Sequence, residues 1–553
     1  MNAFAASAPT SSDDSTVSSR HGRGWAIAFV ACVLAQQAFI FIAYRHELRG
    51  FLDLNSDWLT WQYLLPSAFR DRFWFALLTL QQTPPLPNLL MGIADIAFDN
   101  PTTRNYFCLA LQVAITVVSG ILMLGILRRF TGRSFLSFLV VLTWALSNDV
   151  LTMEFNSHGQ TFYENLAMLL LLAITSIYLR WHESPGFGTT CLLGLGVSLL
   201  ALTRASFSFF FLVPLIALVV RRPRHLYRHV MLYLACALSL HGAWCAKNAL
   251  LYGHPGLATS SWKGLNLAVG LQRAGYGDGF AEFILDHPDR YPEWFVTMIR
   301  KEGIVLWNPP QILLQYVSPE IRQQDDYYIA ALHGTNRPEN LPSILALSEL
   351  YALAFRGFAV EQPALVISKA WSAYWLMWEP IHTYSIPAMG FFKTSSTSEI
   401  PFAPPKLGFR TAIERDVTLY LDSRWNRLLL AQGKWPALSL QAATQVTIPF
   451  VPEFVGFLNL IVFHVCLLLL PLLRLFWPAG RRIVDPLLFM TACAAYLAAV
   501  SSIAEYSENM RFRVAVEPLI WIVCSVVLAL GFALLLQWLR RWRSAPTASL
   551  EVP

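Results

Sequence analysis

Charge is scarce in this chain. Of its 553 residues only 14% are Asp, Glu, Lys or Arg, against 55% hydrophobic, and mean hydropathy is +0.45. A soluble domain carries about 25% charged residues, so this composition excludes an ordinary soluble protein. Other absences narrow the class further. There is no Gly-rich phosphate loop, no His-Glu-x-x-His and no Gly-x-Ser-x-Gly elbow, so nucleotide, zinc-peptidase and serine-hydrolase readings have no foothold. The eight cysteines (Cys32, Cys108, Cys191, Cys236, Cys245, Cys466, Cys493, Cys524) lie in apolar runs without Cys-x-x-Cys spacing, which reads as buried thiols. No internal repeat is visible. No Asn-x-Ser/Thr sequon occurs, which favours a bacterial inner membrane over the endoplasmic reticulum.

What is present is apolar sequence in spanning lengths. Such runs lie at 25–44, 104–127, 133–149, 161–180, 187–203, 204–220, 229–248, 452–476, 484–503 and 513–538. The first 24 residues are polar and low in complexity, a disordered cytosolic tail. The run behind them lacks a small-x-small cleavage site and reads as an uncleaved anchor. Nineteen Trp and 37 Phe predict interfacial belts or an aromatic-lined cavity.

Charge orients the spans. The ends assigned to the cytosol hold sixteen arginines: Arg20, Arg23, Arg128, Arg129, Arg133, Arg180, Arg221, Arg222, Arg224, Arg228, Arg474, Arg481, Arg482, Arg540, Arg541 and Arg543. Between the first and last spans the same side holds only two acids, Glu183 and Asp485. The positive-inside rule then puts both termini in the cytosol. The net charge of +6 is spent at helix ends and predicts no nucleic-acid partner. "PPLPNLLMGIADIAF" (84–98) is too short to span and reads as a juxtamembrane helix on the outer face. Residues 249–451 form one large outer segment, rich in Trp, Tyr and Pro. Within it Trp371, Tyr374, Trp375 and Trp378 make a stripe expected to anchor at the membrane interface.

With this topology, ionisable residues of both signs gather at the outer helix ends. Asp53 and Asp57 follow the first span in "FLDLNSDWLTWQYLLPSAF". Glu154, His158 and Glu164 occupy the turn into the fourth, Arg204 the turn between the fifth and sixth, and Lys247 the end of the seventh. Arg511 and Arg513 open the last span. Singly each has a plain structural reading. A cation at a helix end snorkels to headgroups, Glu164 complements a helix dipole, Asp57 is a helix N-cap, and His158 is a solvated loop residue. Together they suit transfer at an anionic lipid headgroup, where a carboxylate takes a proton and cations stabilise a departing phosphate.

Several stretches are similar to the GT-C class of integral-membrane glycosyltransferases, the group of the protein O-mannosyltransferases and the lipid A aminoarabinose transferases. Asp57 is followed at about 27 residues by "TPPLPNLL", where the family often has His-Pro-Pro-Leu. Glu164 matches an acid opening the fourth span. "TRASFSFFFLVPLIAL" looks like a Thr-Arg-Pro turn. "AWCAKNALLYGHPGLATSSWKGLNLAVG" resembles a Trp-x-x-Arg-Asn, Phe-Gly, Gly-x-Asn-Leu pattern, and "NMRFRVAVEPL" an Arg-Tyr-Arg-x-Pro segment. The likeness covers residues 25–270 and 500–520. The family's Asp-Glu pair is Ser56-Asp57 here, its His is Thr83 and its Arg is Lys247, which loses the bidentate fork for phosphate.

The resemblance implies an all-α polytopic membrane protein with a GT-C-like bundle of about 10–13 transmembrane helices. A seven-helix module at 25–250 would carry juxtamembrane helices at 58–98. A mainly helical exoplasmic or interfacial domain would follow at 251–450, then C-terminal spans at 451–540 and a cytosolic tail at 541–553. It implies an inverting glycosyltransferase of the inner membrane, with its active site on the periplasmic face. The donor would be a polyprenyl-phosphate-linked sugar and the acceptor a lipid or cell-envelope glycan. Asp57 would be the general base, aided by Glu164, with Asp53, Glu154 and His158 as further candidates. Lys247, Arg204, Arg511 and Arg513 would hold the donor phosphate, and no metal or other cofactor is expected. A transporter or flippase of a lipid-linked saccharide is the rival reading, disfavoured because the ionisable residues cluster at one face rather than at the bilayer midplane.

Overall fold

The computed structural model describes residues 12–43, 64, 66–81, 83–147, 150, 160–253, 256, 258–305, 312–331, 341–378, 450–506 and 509–544. Among them every regular element is helical. In chain order these are α1 (Ser12–Ala43), α2 (Pro66–Thr79), α3 (Pro85–Ala97), α4 (Pro101–Thr131), α5 (Ser134–Ala145) and α6 (Gln160–Glu183). Then come α7 (Phe187–Ala201), α8 (Leu212–Arg221), α9 (Leu226–Tyr252), α10 (Lys263–Arg273), α11 (Gly277–Asp286) and α12 (Glu293–Glu302). The last six are α13 (Pro319–Ala331), α14 (Pro342–Glu361), α15 (Pro363–Leu376), α16 (Phe450–Phe476), α17 (Arg481–Ala504) and α18 (Asn509–Ser544). Asp53, Asp57, Glu154, His158 and the segment 379–449 lie outside the described residues.

Among the described residues seven helices are long and apolar enough to cross a membrane: those spanning Thr102–Thr131, Phe162–Glu183, Leu226–Tyr252, Pro342–Glu361, Leu458–Phe476, Pro478–Ala504 and Arg511–Arg540. The protein is an all-α polytopic membrane protein. Local chemistry fixes the helix ends. Asn100 caps α4 by accepting from Thr102 N at 2.9 Å and Thr103 N at 3.3 Å, with Pro101 at the first helical position. At its other end Gly132 closes α4 in the left-handed conformation, φ 64°, just after Arg128 and Arg129. Where α7 meets α9, a Cβ on Gly194 would come within 2.7 Å of the Tyr233 carbonyl oxygen, so a small residue lets the two backbones close.

Three expected spans differ from expectation. The runs at 133–149, 187–203 and 204–220 form helices of 12, 15 and 10 residues. These rise only about 18, 22 and 15 Å, short of a hydrocarbon core of about 30 Å. Arg204 is the reason between α7 and α8. Its backbone is extended (φ −151°, ψ 135°) and a 3-10 turn, Ala205–Phe207, follows, so the run breaks into two short helices at the polar layer. The N-terminal helix also starts earlier than the apolar run, at Ser12.

Charged residues form two layers at opposite ends of the bundle. In one, Arg129 meets Glu183 at 3.7 Å, His182 meets Asp485 at 3.7 Å, and Arg474 Nε donates to Asp485 at 2.9 Å. The other contains Glu164 and Glu505. Glu164 to His182 is 18 residues of α6, about 27 Å, and Asp485 to Glu505 is 20 residues along α17, about 30 Å. Two independent helices therefore give a layer spacing that matches the hydrocarbon thickness. Between the layers, outward-facing Ile27, Val118, Leu192, Ile216, Leu468 and Phe532 are exposed, as lipid-facing side chains should be.

Helices α10 to α14 enclose a second core, built on Leu265, Phe280, Phe295, Ile344, Tyr351 and Phe358. Although α14 is long and apolar enough to span, its apolar face serves this core: Tyr351 packs against Phe295 at 5.4 Å and Phe280 against Phe358 at 5.4 Å. Ser348 on α14 accepts from Gly264 N at 3.1 Å and Leu265 N at 3.4 Å, satisfying donors at the start of α10. The aromatic stripe of α15 is split rather than uniformly interfacial. Trp371 is exposed, but Trp375 and Trp378 are buried, and Trp375 stacks on His464 of α16 at 5.6 Å. Packing of α15 onto α16 and α17 turns these rings inward.

Candidate functional site

The turn around Arg204 is the hub of one polar layer. The Pro-Pro helix docks on it, since Leu86 N donates to Leu202 O at 3.0 Å. Pro84 and Pro85 make this possible, because they start α3 where free amides are not needed. Asn88, one turn in, donates to Thr83 Oγ1 at 3.1 Å and Tyr163 Oη at 3.3 Å, and accepts Leu64 N at 2.9 Å. Tyr163 is adjacent to Glu164, so α3 lies against the start of α6. The segment carrying Asp57 thus ends at a fixed point. Seven residues separate Asp57 from Leu64, a reach of at most about 25 Å.

Glu164 is wholly buried and holds two cations. Arg204 Nη1 pairs with its Oε1, and Arg511 Nε lies 3.8 Å from the same oxygen. The Phe512 ring sits under both guanidinium groups, 4.1 Å from Arg204 Cζ and 5.2 Å from Arg511 Cζ, adding cation–π attraction. Glu505 continues the chain of charges: Arg511 Nη2 is 4.0 Å from it and Arg273 Nη1 3.5 Å. Arg273 also donates to Tyr506 O at 3.3 Å. Lys369 donates to Ser502 O at 3.2 Å and Ile503 O at 2.7 Å, closing the end of α17. Burial pushes the Lys369 ammonium below its ordinary pKa, and Glu505 opposes that shift.

Among the described residues the layer carries four arginines (Arg204, Arg273, Arg511, Arg513) and Lys369, whose charge burial weakens, against Glu164 and Glu505. Counting Glu517, one turn further along α18, the arginines alone number four against three described acids. Such an excess at low dielectric attracts an anion.

Two expected phosphate ligands are used differently. Lys247 Nζ donates to Leu80 O at 2.6 Å and lies 3.7 Å over the Trp244 ring, so it secures the end of α2. Arg513 Nη1 reaches Met377 O at 3.5 Å, at the end of α15. Arg204, Arg511 and Glu164 are brought together. Glu505, Arg273, Lys369, Asn88 and Tyr163 were not singled out from sequence. One of them left a signal: Lys369 is the lone charge in "PALVISKAWSAYWLMW". Among the described residues no group of three or more His, Cys, Asp or Glu side chains is placed to hold a metal ion.

Fold and site together define a polytopic helical membrane protein with a cationic cluster at one membrane boundary. Comparison with protein-family models, curated proteins and solved structures gives no match in any of the three.

Proposed function

We propose that this protein is an inner-membrane glycosyltransferase that moves a sugar from a polyprenyl-phosphate carrier to a periplasmic acceptor. The observation that carries the reading is the Glu164-held pair Arg204 and Arg511, within a cationic layer at hydrocarbon-boundary depth and beside the Pro-Pro helix. A lipid-borne phosphate presents its charge at that depth. Arginine suits it because a guanidinium keeps its charge when buried and offers a planar fork of donors. Glu164, buried between two arginines, is a positioning residue here: it aims them and offsets their charge.

In the reaction, the Asp57 carboxylate takes the proton of an acceptor hydroxyl or amine as that atom attacks the anomeric carbon. The bond from this carbon to the phosphate oxygen breaks, and the polyprenyl phosphate leaves with the electron pair. Arg204 and Arg511 stabilise the charge that develops on the leaving oxygen. A single displacement inverts the anomeric centre. The Pro-Pro helix covers the site against water, which would otherwise hydrolyse the activated sugar. The arginine-rich layer of Arg129, Arg221 and Arg474 then faces the cytosol, which puts the Glu164 layer on the periplasmic side.

Mass spectrometry of envelope glycans tests the reading. A deletion strain should lose one sugar from one glycan or glycolipid. Wild type should restore it and Asp57→Asn should not. An unchanged glycan profile in the deletion strain would contradict a transferase.

A further inference from the structure

A second polar site lies on the outer domain, apart from the arginine cluster and opposite to it in charge. A cavity of about 820 Å³ opens between the end of α9, α13 and α14. Its walls are two helix faces. From α13 come Glu320, Gln323, Gln324 and Tyr327, and from α14 come Pro342, Leu345, Ala346 and Glu349. Both sets follow i, i+3, i+4, i+7 spacing, so each is one continuous stripe. Pro342 and Leu345 are buried and make an apolar floor, while the α13 stripe stands in solvent with its acid, its two amides and its phenol. Tyr252 closes one end.

The chemistry of these walls selects a ligand. Carboxylates and carboxamides accept from and donate to hydroxyls, and phenol rings over an apolar floor stack on the C–H face of a sugar. Its volume falls within the usual range for small-molecule sites. No Lys or Arg is among the lining residues; nearby, Lys263 pairs with Glu349 at 3.3 Å and Lys247 lies 5.8 Å from the Tyr252 ring centroid. Phosphorylated and carboxylated ligands therefore meet two acids, Glu320 and Glu349, and no lining cation. A neutral sugar or an amino sugar is not repelled by them.

Position links this groove to the arginine cluster. Tyr252 Oη donates to Thr79 O, and Thr83, four residues further on, bonds Asn88 beside Tyr163 and Glu164. Four residues span at most about 14 Å. Gln81, midway, is tied to the outer domain twice: its side chain donates to Leu341 O at 3.2 Å, and its carbonyl accepts Ser261 N at 3.1 Å.

We propose that this groove binds the acceptor, and that the acceptor is a neutral or amine-bearing saccharide rather than an acidic or phosphorylated one. The acceptor role rests on the glycosyltransferase reading. Donor anion and acceptor glycan are then sorted by charge into two sites joined by the segment 79–84.

The full-length protein in detergent, applied to a printed array of neutral, amino, uronate-containing and phosphorylated glycans, tests this. Polyprenyl-phosphate binding is measured on the same preparation. Neutral or amino glycans should bind, and Gln324→Ala with Tyr327→Ala should weaken that binding at least tenfold. Both side chains are exposed on α13, so folding and lipid binding should persist. Binding to no glycan, a preference for acidic glycans, or binding indifferent to the double variant would each overturn the inference, even where polyprenyl phosphate still binds. Glycan binding without polyprenyl-phosphate binding would instead remove the acceptor role together with the transferase reading.

Discussion

Arg204 and Glu164 form an ion pair between a buried carboxylate on α6 and a guanidinium at the turn after α7. Glu164 is fully buried, so its charge is tolerated only because Arg204 and Arg511 answer it. Removing one member of such a group strands the others. Glu164→Ala is expected to destabilise the protein by roughly 3–5 kcal/mol. Thermal unfolding in detergent checks this, and a melting temperature equal to wild type would mean that the arginines have other sufficient partners.

The two charged layers predict the topology. A reporter fused at 225 or 480 should read cytosolic, and one at 280 or 420 exoplasmic. A cytosolic signal at 280 would put the Glu164 layer on the wrong side for a periplasmic acceptor.

Close helix approach gives a packing prediction. At Gly194 the obstacle to a Cβ includes the backbone carbonyl of Tyr233, and at Gly264 it is the backbone carbonyl of Ser348. Neither moves without shifting a helix. Gly194→Ala and Gly264→Ala should each cost about 1–3 kcal/mol by overpacking, whereas Gly125→Ala, with open space at its Cβ, should be near neutral. Equal melting temperatures for all three would refute the close contacts.

Much of the fold was legible because apolar run length and arginine placement are direct consequences of the bilayer. Short helices were not. The run 187–220 carries no charge except Arg204, and hydropathy alone cannot show that the chain breaks there into two short helices. Sequence placed Glu164, Arg204 and Arg511 at one depth, but not the ion pairs among them, which tertiary packing makes. Lys247 and Arg513 shared that depth, yet their side chains cap the carbonyls of Leu80 and Met377, a choice made by tertiary packing. Glu505 and Arg273 were missed because no local pattern marks which surface acid will meet which outer-domain cation.

Chemistry at Asp57 is tested by its amide. Asp57→Asn keeps the shape of the side chain and removes the base. A general base supplies roughly 10²–10⁴-fold in rate, so transfer should nearly vanish while expression and detergent stability hold. Asp53→Asn should cost far less. A near wild-type rate in purified Asp57→Asn would leave Asp57 as a helix cap.

The central claim, that the Glu164-held arginines receive a lipid-borne phosphate, is tested most directly by equilibrium binding of polyprenyl phosphate to the purified protein. Wild type should bind saturably. Arg204→Gln and Arg511→Gln should each weaken binding at least tenfold, about 1.4 kcal/mol, with partial recovery in Arg511→Lys. Lys247→Ala, whose cation caps a helix end, should bind as wild type does. Absence of saturable binding by the wild-type protein, or undiminished binding by both glutamine variants, would contradict the account.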